Sequence, residues 1–292
     1  MKKDLVFGRD MTDMMETLKG VAVKEFKALE QRRERFARFM KAFRGFFQMV
    51  DYSRVDHPFV AARGRLAILV ITSDGGFMGG LNARVIQAAL RHPRIVEADL
   101  MVIGNRGAQY LRGAGYDLAR VFPGIVSEDR FEGVRNLKEY VLEKSLKGEM
   151  GRLLIVYPRP VSFFVQEVET LTLLPCHELF EGGEVLEPSA WGVKRRLLSL
   201  IPGVEERVIV DSPLAKIVEY LVETWLTQKL FEVFDDSKLA ELAARAVYLQ
   251  EGQQKLEDKM RLQRYRYLRV KREMVDRELR DMFSARAARA GR

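Results

Sequence analysis

Apolar residues recur every three or four positions from about residue 10 to residue 55, a stretch without proline. This spacing places them on one face of a helix, which would be about 65 Å long at 1.5 Å per residue. Only Arg33 interrupts the apolar face. The sequence Asp-His-Pro at 56–58 predicts the end of this helix. The apolar positions are Met15, Leu18, Ala22, Phe26, Leu29, Phe36, Met40, Phe43, Phe47 and Val50.

A second, more regular pattern occupies the C-terminal part of the chain. Pro213 suits the first turn of a helix, with Ser212 or Asp211 as its capping residue. From residue 239 to residue 274 the spacing alternates between three and four without interruption, which is typical of a coiled coil. Two glutamines in this line of residues, the seam, are predicted to weaken packing and to set the register. The seam residues are Leu239, Leu242, Ala246, Leu249, Gln253, Leu256, Met260, Gln263, Tyr267, Val270 and Met274.

The length of the C-terminal helix indicates what it packs against. From Pro213 to about Ala288 it would extend on the order of 110 Å, which is more than a globular core requires. A long helix buries its seam against a partner, and the obvious partner is the N-terminal helix. We therefore predict that the two terminal helices form a stalk.

Short apolar runs alternate with helical stretches between the two terminal helices, which indicates an open α/β sheet. The region is free of internal repeats and low-complexity sequence. The predicted strands cover 65–72, 98–104, 151–157 and 164–175, and the predicted helices begin at Asn82, near Gly107 and near Phe131. A small α/β domain is thus inserted between the helices of the stalk.

The segment ITSDGGFMGGLN, residues 71–82, joins the first predicted strand to its helix. Nucleotides often bind at a glycine-rich turn in this position. However, the spacing is not Gly-x-Gly-x-x-Gly, no Lys-Ser or Lys-Thr follows, and no convincing acidic ribose ligand lies about 20 residues further on. The pattern favours a tight structural turn over a nucleotide site. Its glycines are Gly75, Gly76, Gly79 and Gly80.

Charge is distributed unevenly along the 292 residues, whose net charge is +8. Residues 255–292 contain 13 Lys or Arg against six Asp or Glu, and residues 19–44 contain nine against three. These segments carry +7 and +6, so the remainder carries −5. Two basic segments therefore flank a mildly acidic middle.

Residues suited to catalysis or metal binding are sparse. One cysteine, Cys176, excludes an intramolecular disulfide and fits a reducing compartment. With His177 it forms a ligand pair too small for a tetrahedral metal site. Ser73 lacks the Gly-x-Ser-x-Gly context of a hydrolase. The sequence also lacks a membrane-length apolar run and a signal-peptide core, so we expect a soluble or peripheral intracellular protein without a cofactor.

Segments in four separated parts of the chain resemble the gamma subunits of the rotary F-type ATP synthases, in the same order and nearly end to end. Residues 71–82 resemble the family's ITSDRGLCGGLN, with Gly75 where arginine is usual. VIGNRGAQYLRGAGYDL at 102–118 and VQEVETLTLLP at 165–175 resemble two further motifs. In the C-terminal helix, AELAARAVYL at 240–249 and YLRVKREMVDREL at 267–279 match the family's spacing. Substitutions such as Leu268 for the usual asparagine indicate a divergent bacterial-type member.

The resemblance implies an α/β fold in which a Rossmann-like domain at 59–205 is inserted into an antiparallel coiled coil of residues 1–58 and 206–292. It implies a non-catalytic rotor shaft that couples ion flow to ATP synthesis or hydrolysis. The implied partners are the alpha and beta subunits of the catalytic hexamer, the epsilon subunit and the c-ring, and not nucleic acid. The implied location is peripheral, on the cytoplasmic face of the bacterial inner membrane, with membrane contact only through partners.

The resemblance also implies a set of subunit contacts. From the residues alone, Asp74 caps the glycine turn, and the i, i+4 spacing of Glu241 and Arg245 predicts a surface ion pair worth a few tenths of a kcal/mol. The implied contacts are Lys19, Asp74, Gly79, Gly80, Leu81, Asn82, Glu241, Arg245, Arg269, Lys271 and Arg272, of which Lys19, Arg269, Lys271 and Arg272 are candidates for acidic loops of beta.

The basic segments leave alternatives open. A solvated helix face is the simplest interpretation. The sequence RLQRYRYLRVKR at 261–272 also interleaves basic and aromatic residues, as nucleic-acid-binding segments do, although Tyr267 and Val270 lie on the seam and are predicted to be committed to packing. A basic coiled-coil nucleic-acid-binding protein and a nucleotide-dependent enzyme are therefore the competing hypotheses. We favour what the family resemblance implies, a basic rod that meets acidic loops of the beta subunits, since it explains why both helices are basic while the middle is not.

Overall fold

A computed structural model describes residues 2–47, 59, 64–126, 129–176 and 214–290. Helices and strands alternate between two long terminal helices, and a 3-10 turn at Ile95–Glu97 precedes the second strand. The elements are α1 (Lys2–Phe47), β1 (Arg65–Ile71), α2 (Leu81–Leu90), β2 (Asp99–Ile103), α3 (Asn105–Gly113), β3 (Arg120–Phe122), α4 (Arg130–Leu146), β4 (Met150–Pro160), β5 (Gln166–Leu174) and α5 (Leu214–Ala290).

The five strands form one sheet in the order β3-β2-β1-β4-β5. The first four strands are parallel to their neighbours, and β5 runs antiparallel to β4. This confirms the predicted α/β class. The order of the four parallel strands is that of the Rossmann fold, whose ligand crevice lies between the first and fourth strands at their carboxyl ends.

Helices cover both faces of the sheet, as parallel strands require. Successive residues of a strand point to opposite faces, and β1 follows this rule in its burial. Ile68 packs among side chains of α2 and α3, whereas its neighbour Leu69 packs among side chains of α4 and α5. The result is a three-layer domain with two separate apolar cores.

The first half of α5 is a layer of this domain. Its buried side chains share a core with those of α4 and the sheet, and Trp225, the most exposed of them, is only 5% exposed. The heptad pattern did not predict this role, because it starts at Leu239, after the buried residues of this half of α5. The buried residues are Val222, Trp225, Leu226, Leu230, Val233 and Phe234.

The four predicted strands are present as β1, β2, β4 and β5, and the three inner helices begin within two residues of the predicted positions. The three-residue strand β3 was not predicted. The start predicted for the first helix, near residue 10, was wrong, because α1 begins at Lys2. The predicted end of this helix and the predicted domain boundary at 205/206 lie outside the described residues. Of the predicted domain boundary at 58/59, only residue 59 is described. These boundaries therefore remain predictions.

By its contacts the chain divides into two compact units, residues 25–244 and residues 1–24 with 245–292. The second unit is the antiparallel coiled coil, because positions later in α1 meet positions earlier in α5. The predicted pairing of the terminal helices is thereby confirmed. The contacts place Met260 against Gly8 and Thr12, Met15 against Gly252, and the Lys19 ammonium 3.3 Å from the Gln253 amide oxygen.

Among the described residues, α1 packs on the seam of α5 only as far as about Met260. Tyr267 is half-buried, but Val270 and Met274 are 44% and 59% exposed. The expectation that Val270 packs within the chain was therefore wrong. The register of the two helices places Gly8 beside Met260, and Val270 lies ten residues, or about 15 Å, beyond this contact along α5.

Candidate functional site

The glycine-rich turn between β1 and α2 depends on backbone conformations that favour glycine. Gly79 and Gly80 have φ angles of 56° and 84°, in the left-handed region that Cβ disfavours. Gly80 is the residue that precedes the first turn of α2. Phe77 also has a positive φ of 62°, which is unusual for a bulky residue. The turn is therefore tight and specifically shaped.

Side-chain hydrogen bonds hold both ends of the turn. The Ser73 backbone N–H donates to the Asn82 side-chain oxygen at 3.2 Å, and the Asn82 amide donates to the Ser73 hydroxyl at 3.3 Å. The Asp74 carboxylate accepts N–H groups from Asn105 and Gly124, which lie in two other loops, so the prediction that it caps its own turn was wrong. Two residues of the predicted set, Asp74 and Asn82, thus serve contacts inside the domain.

The crevice that a Rossmann-type sheet offers to a nucleotide is occupied by α5. The carboxyl ends of β1 and β4, at Thr72 and Pro158, face Ser237 and Glu241 of that helix across a cavity of about 10 Å³. That is room for about one water molecule, against the roughly 300–1,000 Å³ of ordinary ligand sites. The structure therefore supports the interpretation of the glycines as a packing turn.

Apolar contacts complete the junction between the turn and α5. Met78 and Leu81 form a buried cluster with Ala244, and Leu81 is 1% exposed. Glu241, which the spacing predicted to be a surface residue, is 8% exposed. Its carboxylate accepts a hydrogen bond from Lys238 at 3.2 Å. The surface position predicted for Glu241 was wrong, because the turn and the sheet lie over this part of the helix.

Charged pairs add to the attachment of α5. Arg130 of α4 meets Asp235 at 2.7 Å, and both side chains are 11% exposed. Arg159 of β4 lies 3.9 Å from Asp236 and 2.9 Å from Glu169. The hydrogen bond and charge of Glu169 raise the pKa of the Arg159 guanidinium, with a smaller contribution from Asp236. The α/β domain and α5 are therefore joined by apolar, polar and ionic contacts.

The predicted basic contacts lie in the coiled-coil unit, and the structure separates them. The Lys19 ammonium is bonded to Gln253, 16 residues before Arg269 and thus about 24 Å away along the helix. Arg269, Lys271 and Arg272 are exposed, with the Arg269 guanidinium 3.1 Å from the carboxylate of Glu273.

Residues 261–290, which we call the free end of α5, combine positive charge with exposed apolar side chains. They include ten Lys or Arg and four Asp or Glu. Exposed apolar surface of this extent is typical of a protein interface. The apolar residues that are at least 41% exposed are Leu262, Tyr265, Leu268, Val270, Met274, Val275, Leu279, Met282 and Phe283.

Neither a membrane-spanning helix nor a metal-binding cluster is found among the described residues. None of the helices in these parts of the chain is long and apolar enough to span a membrane. The same residues hold no group of three or more His, Cys, Asp or Glu side chains arranged to bind a metal ion.

The fold and the site define a class of protein: a Rossmann-type domain closed by its own C-terminal helix and joined to an antiparallel coiled coil. A family model described as ATP synthase matches residues 8–288. The chain therefore belongs to this ATP synthase family, and the predicted resemblance to gamma subunits is confirmed.

Curated relatives named ATP synthase gamma chain support this assignment. The protein from Pelotomaculum thermopropionicum is 32% identical over 154 residues, which cover 49% of this chain and 54% of that relative. The chain thus spans about half the length of this relative. The protein from Chlorobaculum tepidum is 27% identical over 220 residues, which cover 73% of this chain and 69% of the relative.

Solved structures share the fold. The first is a chain from the central stalk and c-ring structure of the Tetrahymena thermophila mitochondrial ATP synthase, with a TM-score of 0.59 and 18% identity over 82% of this chain and 99% of that one. Another is a chain from the rotor of the Euglena gracilis enzyme, with a TM-score of 0.54 and 15% identity over 94% and 100% of the two chains.

Proposed function

We propose that this chain is the central rotor shaft of a rotary ATP synthase. The observation that carries the proposal is the free end of α5, about 45 Å of continuous helix that is basic in sequence and carries exposed apolar side chains from Leu262 to Phe283. A surface of this kind is expected to be covered by partner subunits. Membership of the ATP synthase family and the fold shared with rotor structures support this interpretation.

The shaft transmits torque and carries out no chemistry of its own. The α/β domain has its crevice filled by α5, and α5 contributes residues to both compact units. A torque applied to the domain therefore passes directly into the helix. The stiffness needed for this comes from the long coiled coil, whose seam is buried at Leu249 and half-buried at Met260.

Coupling follows from differential contact. The free end meets the surrounding alpha and beta subunits, and its two sides differ in sequence, so each beta subunit faces different side chains. A shaft that contacts one beta conformation better than another shifts the populations of those conformations. Rotation exchanges the states of the catalytic sites, which links ion flow to ATP synthesis or hydrolysis.

The remaining partners and the location complete the proposal. The α/β domain faces the epsilon subunit and the c-ring, and the chain contacts the membrane only through these partners. In a bacterium the complex lies on the cytoplasmic face of the inner membrane. Arg269, Lys271 and Arg272 meet acidic loops of beta, since they form the densest basic cluster beside the exposed part of the seam.

Replacing Arg269, Lys271 and Arg272 together with alanine should weaken coupling while the chain stays folded. All three are exposed, and alanine favours helix. Each contact alone is worth under about 1 kcal/mol, so the three are changed together. We expect ATP-driven ion pumping to fall relative to ATP hydrolysis in the reconstituted complex. The difference from wild type should narrow at high salt, because salt screens the charge–charge contacts that the wild type makes and the variant lacks.

A matched control removes the same charge elsewhere in the coiled coil. Lys255 and Lys259 of α5 and Arg9 of α1 are also exposed and lie outside the free end, so their triple alanine variant should keep a normal ratio of pumping to hydrolysis. Equal ratios in the two triple variants would show that the cluster at 269–272 has no specific partner.

A further inference from the structure

The carboxylate of Asp74 joins the loops that follow three neighbouring parallel strands. Asp74 itself follows β1. Its Oδ1 atom accepts the backbone N–H of Asn105, the first residue after β2 and its glycine. Its Oδ2 atom accepts the N–H of Gly124, beyond β3, at 3.1 Å. In addition, the Arg106 side chain donates to the Asp74 backbone oxygen at 3.1 Å.

This position is one at which an anion is expected. The first N–H groups of a helix have no partner within the helix, and the helix dipole favours negative charge there. In α3 the preceding residue, Gly104, provides no side-chain cap. Gly104 cannot readily be replaced by a capping residue, because an added Cβ would lie 2.5 Å from the Thr72 backbone oxygen. The cap therefore comes from Asp74, a residue 31 positions away in sequence.

The loop after β3 is shaped to accept the same carboxylate. A Cβ added at Gly124 would lie 2.5 Å from Oδ2 of Asp74, so any larger residue would displace the carboxylate. Gly124 does not belong to the residues of the described chain that have a positive φ angle. The need for glycine at this position is thus explained by the Asp74 side chain and not by the backbone.

We propose that Asp74 is a positioning residue whose carboxylate takes the place of a bound anion at the carboxyl ends of β1, β2 and β3. By fixing the start of the glycine turn, it holds Met78 and Leu81 against Ala244 of α5. The Asp74 carboxylate therefore supplies, from within the domain, the negative charge at the edge of the sheet where related folds bind a phosphate. This assignment does not depend on the proposed rotor function.

The test is chemical rescue with acetate, which supplies the atoms of the aspartate side chain that glycine lacks. Asp74→Gly in the full-length chain should lower the melting temperature. It should also speed amide hydrogen exchange at Asn105 and Gly124 by at least about tenfold, the expected loss for hydrogen bonds to a charged group. Added sodium acetate, at ionic strength held constant with sodium chloride, should reverse both effects.

The control is Asp117→Gly, which makes the same substitution at an exposed aspartate in the segment between α3 and β3. Acetate should change neither this variant nor the wild type. If Asp74→Gly does not fold, acetate present during refolding should raise the folded yield. An Asp74→Gly protein whose exchange rates or refolding yield do not respond to acetate would overturn the proposal, and would leave Asp74 as an ordinary turn residue.

A second variant tests the role from the opposite side. Gly124→Ala should displace the carboxylate and so speed exchange at Asn105, although Asn105 itself is unchanged. Because both changes remove the same contact, Asp74→Ala with Gly124→Ala should be no less stable than the more damaging single variant. Fully additive effects on the melting temperature would contradict the proposal.

Discussion

Replacing Gly107 with alanine should lower the free energy of unfolding by about 2–3 kcal/mol, whereas the same change at Gly113, in the same helix α3, should raise it by up to about 1 kcal/mol. The difference lies in their surroundings. A Cβ at Gly107 would lie 2.2 Å from the Thr72 hydroxyl oxygen, whereas a Cβ at Gly113 would meet no atom within 4 Å. Thr72 is 4% exposed, and its hydroxyl donates to the Ile103 carbonyl at 2.7 Å, so it cannot move aside cheaply.

The cause can be isolated with a double variant measured by urea unfolding. In the background of Thr72→Ala, the clashing hydroxyl and methyl groups are gone, and the penalty of Gly107→Ala should fall by at least about 1 kcal/mol. Gly104→Ala should be relieved much less, because its nearest neighbour is the Thr72 backbone oxygen, which Thr72→Ala leaves in place, and its φ of 100° disfavours any Cβ. A Gly107 penalty that is unchanged by Thr72→Ala would show that α3 and β1 do not pack as described.

Ending the chain at Arg264 should leave both compact units folded and yet remove most of the coupling in the assembled complex. The deletion removes exposed side chains such as Val270 and Met274, while it keeps Met260 and its contacts with Gly8 and Thr12. The melting temperature of the isolated chain should therefore change little. ATP-driven ion pumping should fall at least about tenfold, since central interface residues carry most of the energy of a contact.

The melting temperature and the pumping ratio of the truncated chain test two separate parts of this prediction. A large fall in melting temperature would mean that the free end of α5 packs on its own chain. Pumping at the wild-type ratio to hydrolysis, in a chain that is stably folded, would mean that the hexamer does not contact this part of the helix.

The elements that were predictable from sequence are those whose signal is local. The strand β1 reads as a continuous apolar run because helices cover both of its faces. In contrast, β3 has three residues, and pairing with β2 alone makes it a strand. The core-facing half of α5 was missed for a related reason: Leu226 and Val233 show helical spacing, but spacing does not distinguish a sheet from a second helix as the partner.

The candidate site shows the same limit. Gly80 and Asn82 were identified because they lie within the turn that they shape. Asn105 and Gly124 were not, since they reach Asp74 from 31 and 50 residues away, and nothing local in the sequence connects them. The exposure of Val270 was equally hard to predict, because it depends on the register in which α1 packs against α5.

The central claim is that this chain rotates inside a catalytic hexamer, and single-molecule rotation tests it most directly. The chain has one cysteine, Cys176, which is buried, whereas Val96 of the α/β domain is 90% exposed. A probe attached to Val96→Cys would therefore label one site on the domain. With its alpha and beta subunits fixed to a surface and ATP supplied, we expect the probe to turn continuously in one direction. A probe that stays still while the same complexes hydrolyse ATP would contradict the assignment as a rotor shaft.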